Sequence, residues 1–192
     1  MKKTSSKKFG QTTAKTKIGI DYSLTSPAIC VNDGNLMFYY LTSKKKWIGK
    51  QSENIIGYEH KEWKDPIERF TYISDFAIEI IKQTQNPEIY IEGYSFGSKG
   101  QGVFQIAENC GILKYRLLEE EYGYHTVVPS VVKKGATGKG NADKDMMYEA
   151  FVKELPEYNL KKILDTEKTG NPLSDIVDSY YIKKVGYENL SI

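Results

Sequence analysis

Short apolar runs bounded by turn residues follow the first 16 positions of the chain. They cover Lys17 to Leu24, Ala28 to Asn32 and Leu36 to Thr42, and Pro, Asn, Asp and Gly fill the gaps between them. Apolar runs of this length with such boundaries favour β-strands. Connections this short join antiparallel neighbours. The pattern therefore predicts a three-stranded antiparallel meander.

Apolar residues at helical spacing then alternate with two more short apolar runs. The first helical stripe begins after Asp65-Pro66, and proline favours the first turn of a helix. The four helices and two strands predicted in this way follow the order 66–81, 88–92, 103–117, 124–128, 141–155 and from Pro172 onward. A meander followed by alternating helices and strands predicts an α/β fold with a five-stranded mixed sheet flanked by helices.

Two segments lack a regular apolar period. Residues 1–16 are rich in Lys, Ser and Thr and contain no acidic residue, which predicts a basic flexible tail. Residues 43–64 contain a lysine cluster and both tryptophans, Trp47 and Trp63, and we interpret them as a long insertion or lid. Residues 17–192 are long enough for one core and are predicted to form a single domain.

The amino-acid composition indicates the cellular compartment of the protein more clearly than its function. The formal net charge of +2 predicts no partner by itself. Cys30 and Cys110 both lie in apolar stretches, which favours buried free thiols in a reducing compartment over a disulfide scaffold. No apolar run reaches the roughly 18 residues of a membrane span. The sequence therefore predicts a cytoplasmic protein with no membrane partner.

Acidic residues end two of the predicted strands and recur in the last predicted helix. Asp21 and Glu92 each follow a run of apolar residues. Asp175 and Asp178 are three positions apart, so they share one face of a helix. We expect the two strand carboxylates and the helical pair to converge in one site.

Four crowded carboxylates favour a divalent cation, because they repel one another when ionised. With no Cys or His among them, the oxygen ligands favour Mg²⁺, or Mn²⁺ in its place, over Zn²⁺. Two such ions per site suit an in-line phosphoryl displacement. Taken singly, an acid at a strand end is a common loop contact and Asp175 suits a helix's first turn. The four together predict a two-metal nuclease.

Residues 133–144 are rich in glycine and lysine. Gly138-Lys139 resembles part of a phosphate-binding P-loop, but Lys133 stands where that motif needs a glycine and neither Ser nor Thr follows Lys139. The sequence therefore predicts no nucleotide cofactor. A flexible loop carrying Lys133, Lys134 and Lys139 still favours a DNA phosphate. A solvated hinge is the alternative interpretation.

Two aromatic residues and a lysine directly follow the strand that ends in Glu92. Tyr94 and Phe96 stand among glycines, with Lys99 three positions further on. Aromatic rings in such a loop favour stacking on bases at a branch point, where pairing is weakest. The sequence leaves open which ring stacks, and packing within the loop accounts for the pattern equally well.

Four blocks of sequence, taken in order, resemble the RuvC-type Holliday junction resolvases. They are most similar to the phage and viral branch of that family. The blocks are Ile18-Gly19-Ile20-Asp21-Tyr22-Ser23, Ile91-Glu92-Gly93-Tyr94, residues 134–144 and residues 174–181.

The resemblance implies an RNase H-like fold and a homodimer. It also implies symmetric nicking of four-way DNA junctions with two Mg²⁺ ions per site, in the cytoplasm of a bacterial cell or a phage-infected host. By family position, Asp21, Glu92, Asp175 and Asp178 are the metal ligands. The corresponding lysines implicate Lys139 in DNA binding and Lys144 in the active site. Some resolvases use a histidine near the last acidic pair, but residues 170–185 contain none.

Three other functions fit parts of the pattern. A different RNase H-like nuclease, acting on an RNA–DNA hybrid or other branched DNA, would use the same four acids. Residues 19–23 also resemble the first phosphate loop of sugar kinases and actin-like ATPases, but those proteins need two such domains. A noncatalytic DNA-binding module is the third alternative, and the presence of all four acids disfavours it.

Overall fold

A computed structural model describes residues 15–94 and 102–190. The described strands are β1 (Thr16–Asp21), β2 (Ala28–Asn32), β3 (Leu36–Thr42), β4 (Gly49–Ser52), β5 (Ile55–Glu59), β6 (Pro87–Glu92) and β7 (Tyr124–Val127). The helices are α1 (Pro66–Lys82), α2 (Gly102–Glu119), α3 (Pro129–Thr137), α4 (Lys144–Glu154), α5 (Leu160–Ile163) and α6 (Leu173–Leu190), with a 3-10 turn at Lys45–Trp47.

The seven strands form one mixed sheet in the order β4-β5-β3-β2-β1-β6-β7. Strands β1, β3, β5, β6 and β7 run in one direction, and β2 and β4 run in the other. The carboxyl ends of the five parallel strands therefore meet at one edge of the sheet, which we call the carboxyl edge. The mixed sheet, the meander and the flanking helices were predicted correctly.

The sheet has two more strands than the five predicted, because residues 43–64 contribute β4 and β5. These strands escaped the pattern because they are short, carry Gly49 and Gly57, and lack strict alternation. Gly57 is required here: a Cβ atom at this position would lie 1.9 Å from the Trp47 carbonyl oxygen. A close backbone approach of this kind leaves no periodic signal in the sequence.

Helices cover both faces of the sheet. Ile18 and Ile20 of β1 pack with the apolar residues of α1 and α2 on one face. Tyr90 of β6 packs with the residues of α4 and α6 on the other face. Because side chains alternate along a strand, Asp21 and Glu92 belong to the face that α6 covers.

The segment around residues 129–144 was predicted wrongly in two respects. Lys133 and Lys134 lie in helix α3 and not in a loop, and α3 ends where Gly138 takes a left-handed conformation (φ 80°). The helix predicted to begin at residue 141 begins at Lys144 instead, and Asp143 caps it, because its side chain accepts a hydrogen bond from Met146 N at 2.9 Å. The sequence hid α3 because it buries one side chain only, Val132.

The described residues contain no helix that is both long enough and apolar enough to span a membrane. Cys30 and Cys110 are free and buried, as expected. The boundary predicted at residue 16 stays a prediction, because residues 1–14 lie outside the described range.

Candidate active site

Strands β1 and β6 place Asp21 and Glu92 side by side at the carboxyl edge. The two strands are parallel neighbours in which Gly19 pairs with Tyr90 and Ile20 with Ile91. One residue further, the same register sets Asp21 beside Glu92. The side chain of Asp21 is buried, and that of Glu92 is half-buried.

Helix α6 crosses the sheet directly over β1. A Cβ atom at Gly19 would lie 2.2 Å from the Ser179 carbonyl oxygen and 2.5 Å from Lys183 N, so only glycine admits the helix at this distance. Asp175 and Asp178 stand in the first two turns of α6, and Asp178 directly precedes Ser179 at that crossing. The predicted convergence of the four carboxylates follows from this contact and from the strand register.

Burial is the main cause of a raised pKa at each of the four carboxyl groups. It raises the pKa of Asp21 well above its usual range, and repulsion from Asp175, Asp178 and Glu92 raises that pKa further. Burial and then the charge of Asp178 raise the pKa of Glu92 to about 7. The carboxyl groups are therefore close enough to interact electrostatically.

Burial also raises the pKa values of the two helical carboxyl groups, and neighbouring donors and positive charges partly oppose the rise. Burial raises the pKa of Asp175 to about 7, although a hydrogen bond from Ser26 opposes the shift. Burial raises the pKa of Asp178 to about 6, and the positive charges of Lys133 and Lys144 oppose that shift. These two lysines therefore lie close enough to favour the ionised carboxylates.

Hydrogen bonds fix Asp175 and Lys144 at the start of α6. The Ser26 hydroxyl donates a short hydrogen bond to Asp175 Oδ2, and the Ser174 hydroxyl lies 3.4 Å from Asp175 Oδ1. Lys144 Nζ donates to Ser174 Oγ and to Asn171 Oδ1, both at 3.1 Å. The lysine charge is thereby held beside the acidic group.

A cavity of about 640 Å³ opens onto the carboxylates. Three of the acids line it, together with Lys133 and a largely apolar wall; the lining includes Asp21, Glu92, Asp178, Tyr94, Val103, Ile106, Cys110 and Pro129. A smaller pocket of about 90 Å³ lies between Lys133, Lys144 and Asp178. A hollow of about 790 Å³ beside α4 and α5 has none of the four acids in its lining.

The four carboxylates are chemically suited to bind a hard divalent cation. All four groups offer carboxylate oxygens, which are the ligands that Mg²⁺ and Mn²⁺ prefer. Within residues 15–94 and 102–190, no three His, Cys, Asp or Glu side chains already have the geometry of a metal site. Asp175 is instead turned toward Ser26 and Ser174. The carboxylates are thus neighbours, but they are not drawn together at ligand distance.

The structure brings only some of the predicted DNA-binding residues to the carboxylates. Lys133 lines both nearby cavities. Tyr94 is exposed at the edge of the larger one, and Lys114 Nζ lies 5.0 Å from its ring centre. Lys134 and Lys139 are exposed and line neither cavity. Phe96 and Lys99 lie outside the described residues.

Residues that the sequence did not single out support the site from outside. Arg69 donates two hydrogen bonds to the Leu24 carbonyl, 3.1 Å from Nε and 2.6 Å from Nη2, and His60 Nε2 lies 3.3 Å from the same oxygen. Leu24 belongs to the β1–β2 connection, which carries Ser26. A sequence pattern cannot reveal these contacts, because Ser26 and Asp175 are 149 positions apart.

Comparison with known proteins assigns the chain to a family. The family model described as "Crossover junction endodeoxyribonuclease RuvC" matches residues 54–171, more than half of the 192-residue chain. The chain belongs to the RuvC family. The matched range contains Glu92, Lys133 and Lys144, and it ends before Asp175.

Individual RuvC proteins agree with the family model. The RuvC of Sulfurovum sp. (strain NBC37-1) is 33% identical over 103 residues, 54% of this chain and 58% of the relative. The RuvC of Campylobacter concisus (strain 13826) is 33% identical over 113 residues, 59% of this chain and 66% of the relative. The matching part of the chain thus spans less than two thirds of the length of each of these relatives.

Solved RuvC structures share the fold over almost the whole chain. Thermus thermophilus RuvC has a TM-score of 0.56 at 15% identity, covering 92% of this chain and 96% of the other. A structure titled as T. thermophilus RuvC in complex with Holliday junction substrate has a TM-score of 0.59 at 14% identity, covering 93% and 97%. The predicted RNase H-like fold is confirmed, and the assignment to the phage branch stays a prediction.

Proposed function

We propose that the protein is a Mg²⁺-dependent endonuclease that resolves four-way DNA junctions by paired, symmetric nicks. The observation that carries the proposal is the convergence of Asp21, Glu92, Asp175 and Asp178 at the carboxyl edge of a RuvC-family chain. Their raised pKa values support the proposal, because buried carboxylates with this degree of mutual repulsion require positive charge to ionise together.

The four carboxylates would hold two Mg²⁺ ions, with Mn²⁺ as a substitute. When bound, the ions supply electrostatic stabilisation of the attacking and leaving oxygens during phosphodiester hydrolysis. Ser26 keeps Asp175 oriented, because it donates to one carboxylate oxygen while the Ser174 hydroxyl lies 3.4 Å from the other. Lys144, fixed by Ser174 and Asn171, adds positive charge that favours a DNA phosphate beside the acids.

The substrate would be held mainly through its phosphates and its shape. Lys133 lies at the cavity, and Lys134 in α3 and Lys139 just after it extend the positive charge. Tyr94, exposed at the cavity edge, would stack on an unpaired base. Symmetric cutting requires two equivalent sites, so the active species would be a homodimer, acting in the cytoplasm.

The proposal is tested by incubating the purified protein with three labelled substrates: a four-way junction, a linear duplex and an RNA–DNA hybrid. Each is incubated in Mg²⁺ and in Ca²⁺. We expect paired nicks on the junction alone, in Mg²⁺ alone, with at least a roughly 100-fold loss of rate for Asp175→Asn.

The matched control is Asp33→Asn. Asp33 is exposed in the β2–β3 turn at the opposite edge of the sheet, where its side chain accepts a hydrogen bond from Asn35 N that an asparagine also accepts. This variant should cut like the parent. Equal cutting by Asp175→Asn would refute the metal assignment, and preferential cutting of the hybrid would favour the alternative nuclease.

A further inference from the structure

Three consecutive exposed lysines follow strand β3 at the carboxyl edge. We call residues 44–47 the lysine turn; it consists of Lys44, Lys45, Lys46 and the buried Trp47. The indole N–H of Trp47 donates to the Leu164 carbonyl at 2.7 Å. The Nζ atoms of Lys44 and Lys46 lie 4.4 and 4.9 Å, respectively, from the centre of the indole ring. The tryptophan therefore holds the turn against the segment that follows α5.

Further contacts fix the backbone of the turn. The Tyr40 hydroxyl donates to the Trp47 carbonyl at 2.9 Å, and Lys44 N donates to Thr42 Oγ1 at 3.2 Å. Gly57 makes room for the same Trp47 carbonyl. A run of lysines that only improves solubility needs no such support. The contacts hold the lysines in a fixed arrangement, which lowers the entropy cost of binding an extended anion.

The topology places the lysine turn on the same edge as the catalytic carboxylates. Strands β3 and β1 are parallel and separated by β2, so their carboxyl ends lie about 10 Å apart laterally. Trp47 packs in the cluster that includes α6, which puts the turn on the face that bears Asp175. Lys133 follows β7, the second strand on the opposite side of β1. The carboxylates therefore lie between two basic groups.

The charges of the lysine turn are available to a ligand. None of the ion pairs found in the described part of the chain involves Lys44, Lys45 or Lys46. Lys46 donates to the backbone carbonyl of Asp165 at 3.0 Å, which does not neutralise its charge. A row of positive charge that continues past both sides of a phosphodiester site matches the repeating charge of a DNA strand.

We propose that the lysine turn binds the phosphate backbone of the duplex arm that leaves the active site on the β3 side. This proposal rests on the proposed function for the position of the scissile phosphate. The turn sets the path of the arm and contributes affinity without touching the reacting atoms. Residues 44–47, part of the segment predicted as an insertion or lid, are thus assigned to DNA binding.

The test compares Lys44→Ser/Lys45→Ser with Lys15→Ser/Lys82→Ser. Lys46 is kept because it bonds to the Asp165 carbonyl. The control lysines are exposed, form ion pairs with Glu88 and Glu120, and lie before β1 and at the end of α1 near the opposite edge; their replacement removes the same net charge. Binding of a labelled four-way junction and of a linear duplex is measured in Ca²⁺ across a KCl series, and single-turnover cleavage is measured at saturating protein in Mg²⁺.

We expect the turn variant to bind both DNAs about 10-fold more weakly near 100 mM KCl and to lower the log–log salt slope by about 2. The control should stay within about twofold of the parent, and the single-turnover rate of the turn variant should not change. An affinity and slope equal to the control would overturn the proposal. If the parent neither prefers nor cuts the junction, the proposed function fails, and the slope on linear duplex still decides whether the turn binds DNA.

Discussion

At the residue scale, Asp175 is the most closely supported of the four carboxylates at the carboxyl edge. It is buried, it accepts from Ser26, and it lies beside Ser174, which also receives a hydrogen bond from Lys144. The hydrogen bond from Ser26 stabilises the ionised form and opposes the desolvation caused by burial. A short polar side chain from a distant loop thus tunes the charge of a proposed metal ligand.

Removing that support should change the pH dependence of activity. In Ser26→Ala the pKa of Asp175 rises further, because the carboxylate loses a donor. We expect the acidic limb of the cleavage rate to shift to higher pH, with about a 10-fold loss at pH 7 and a smaller loss at pH 9. Ser26→Thr should retain most of the activity, and Ser43→Ala, at an exposed serine, is the control. A uniform loss across pH would contradict this role.

The raised pKa values also predict how stability depends on pH. Each carboxyl group has a folded-state pKa above its unfolded value of about 4, so the folded state binds more protons between the two values. Stability is therefore highest below about pH 4 to 5 with respect to these groups and is lost as pH rises through about 7.

In EDTA, the melting temperature should consequently fall by about 5 °C or more between pH 5 and pH 8. Mg²⁺ at pH 8 should reverse the loss, because it binds the ionised carboxylates of the folded state. Asp175→Asn should reduce both effects. A melting temperature that rises with pH in EDTA would be inconsistent with the electrostatics described above.

At the element scale, the site depends on how closely α6 approaches β1. Gly19 is the contact point, and the alternation of β1 directs Ile18 and Ile20 to the opposite face. Helix α6 can therefore bring Asp175 and Asp178 over the strand that ends in Asp21. The distance between strand and helix sets the spacing of the four carboxylates.

Gly19→Ala tests this dependence. The added methyl group would overlap the Ser179 carbonyl, so α6 must shift, and we expect a loss of about 1 to 3 kcal/mol of unfolding free energy. Cleavage should fall by more than the unfolded fraction explains. Gly111→Ala is the control: its Cβ would meet no atom within 4 Å, and alanine favours a helix interior. Equal activity and stability in both variants would contradict the tight approach.

At the scale of the whole molecule, a small net charge of +2 conceals a local arrangement of opposite charges. The acids lie at the centre of the carboxyl edge, and Lys133, Lys144 and the lysine turn lie around them. In the proposed function, attraction for DNA would come from this local positive charge, and the acids would accept a phosphate only with cations present. Symmetric resolution would additionally require two such edges in one assembly.

The proposed homodimer is tested with mixed subunits and a supercoiled plasmid that extrudes a cruciform. The parent should linearise the plasmid by two coordinated nicks. Dimers formed by mixing parent and Asp175→Asn subunits should accumulate nicked circles, because one site of each mixed dimer is silent. Light scattering should give twice the chain mass of 21.9 kDa. A monomeric mass with undiminished linear product would exclude the dimer.

The sequence by itself determined the features that depend on neighbouring residues. Short apolar runs bounded by turn residues, the i, i+3 spacing of Asp175 and Asp178, and the proline and aspartate that begin α1 are local, so they predicted the meander, the helices and the four-acid set. The elements that the sequence failed to predict are those whose local pattern is weak. Strands β4 and β5 and helix α3 are short and have little apolar period, so their tertiary contacts decide their conformation.

Only the tertiary structure decided which distant residues complete the site. Ser26 reaches Asp175, Arg69 holds Leu24, and Trp47 anchors the lysine turn to Leu164, each across many positions of the chain. Such pairs have no spacing that a sequence pattern could detect, since chain folding alone brings them together. The acids were recognisable from the sequence, whereas their supporting hydrogen bonds and the flanking lysines depend on how strands and helices pack.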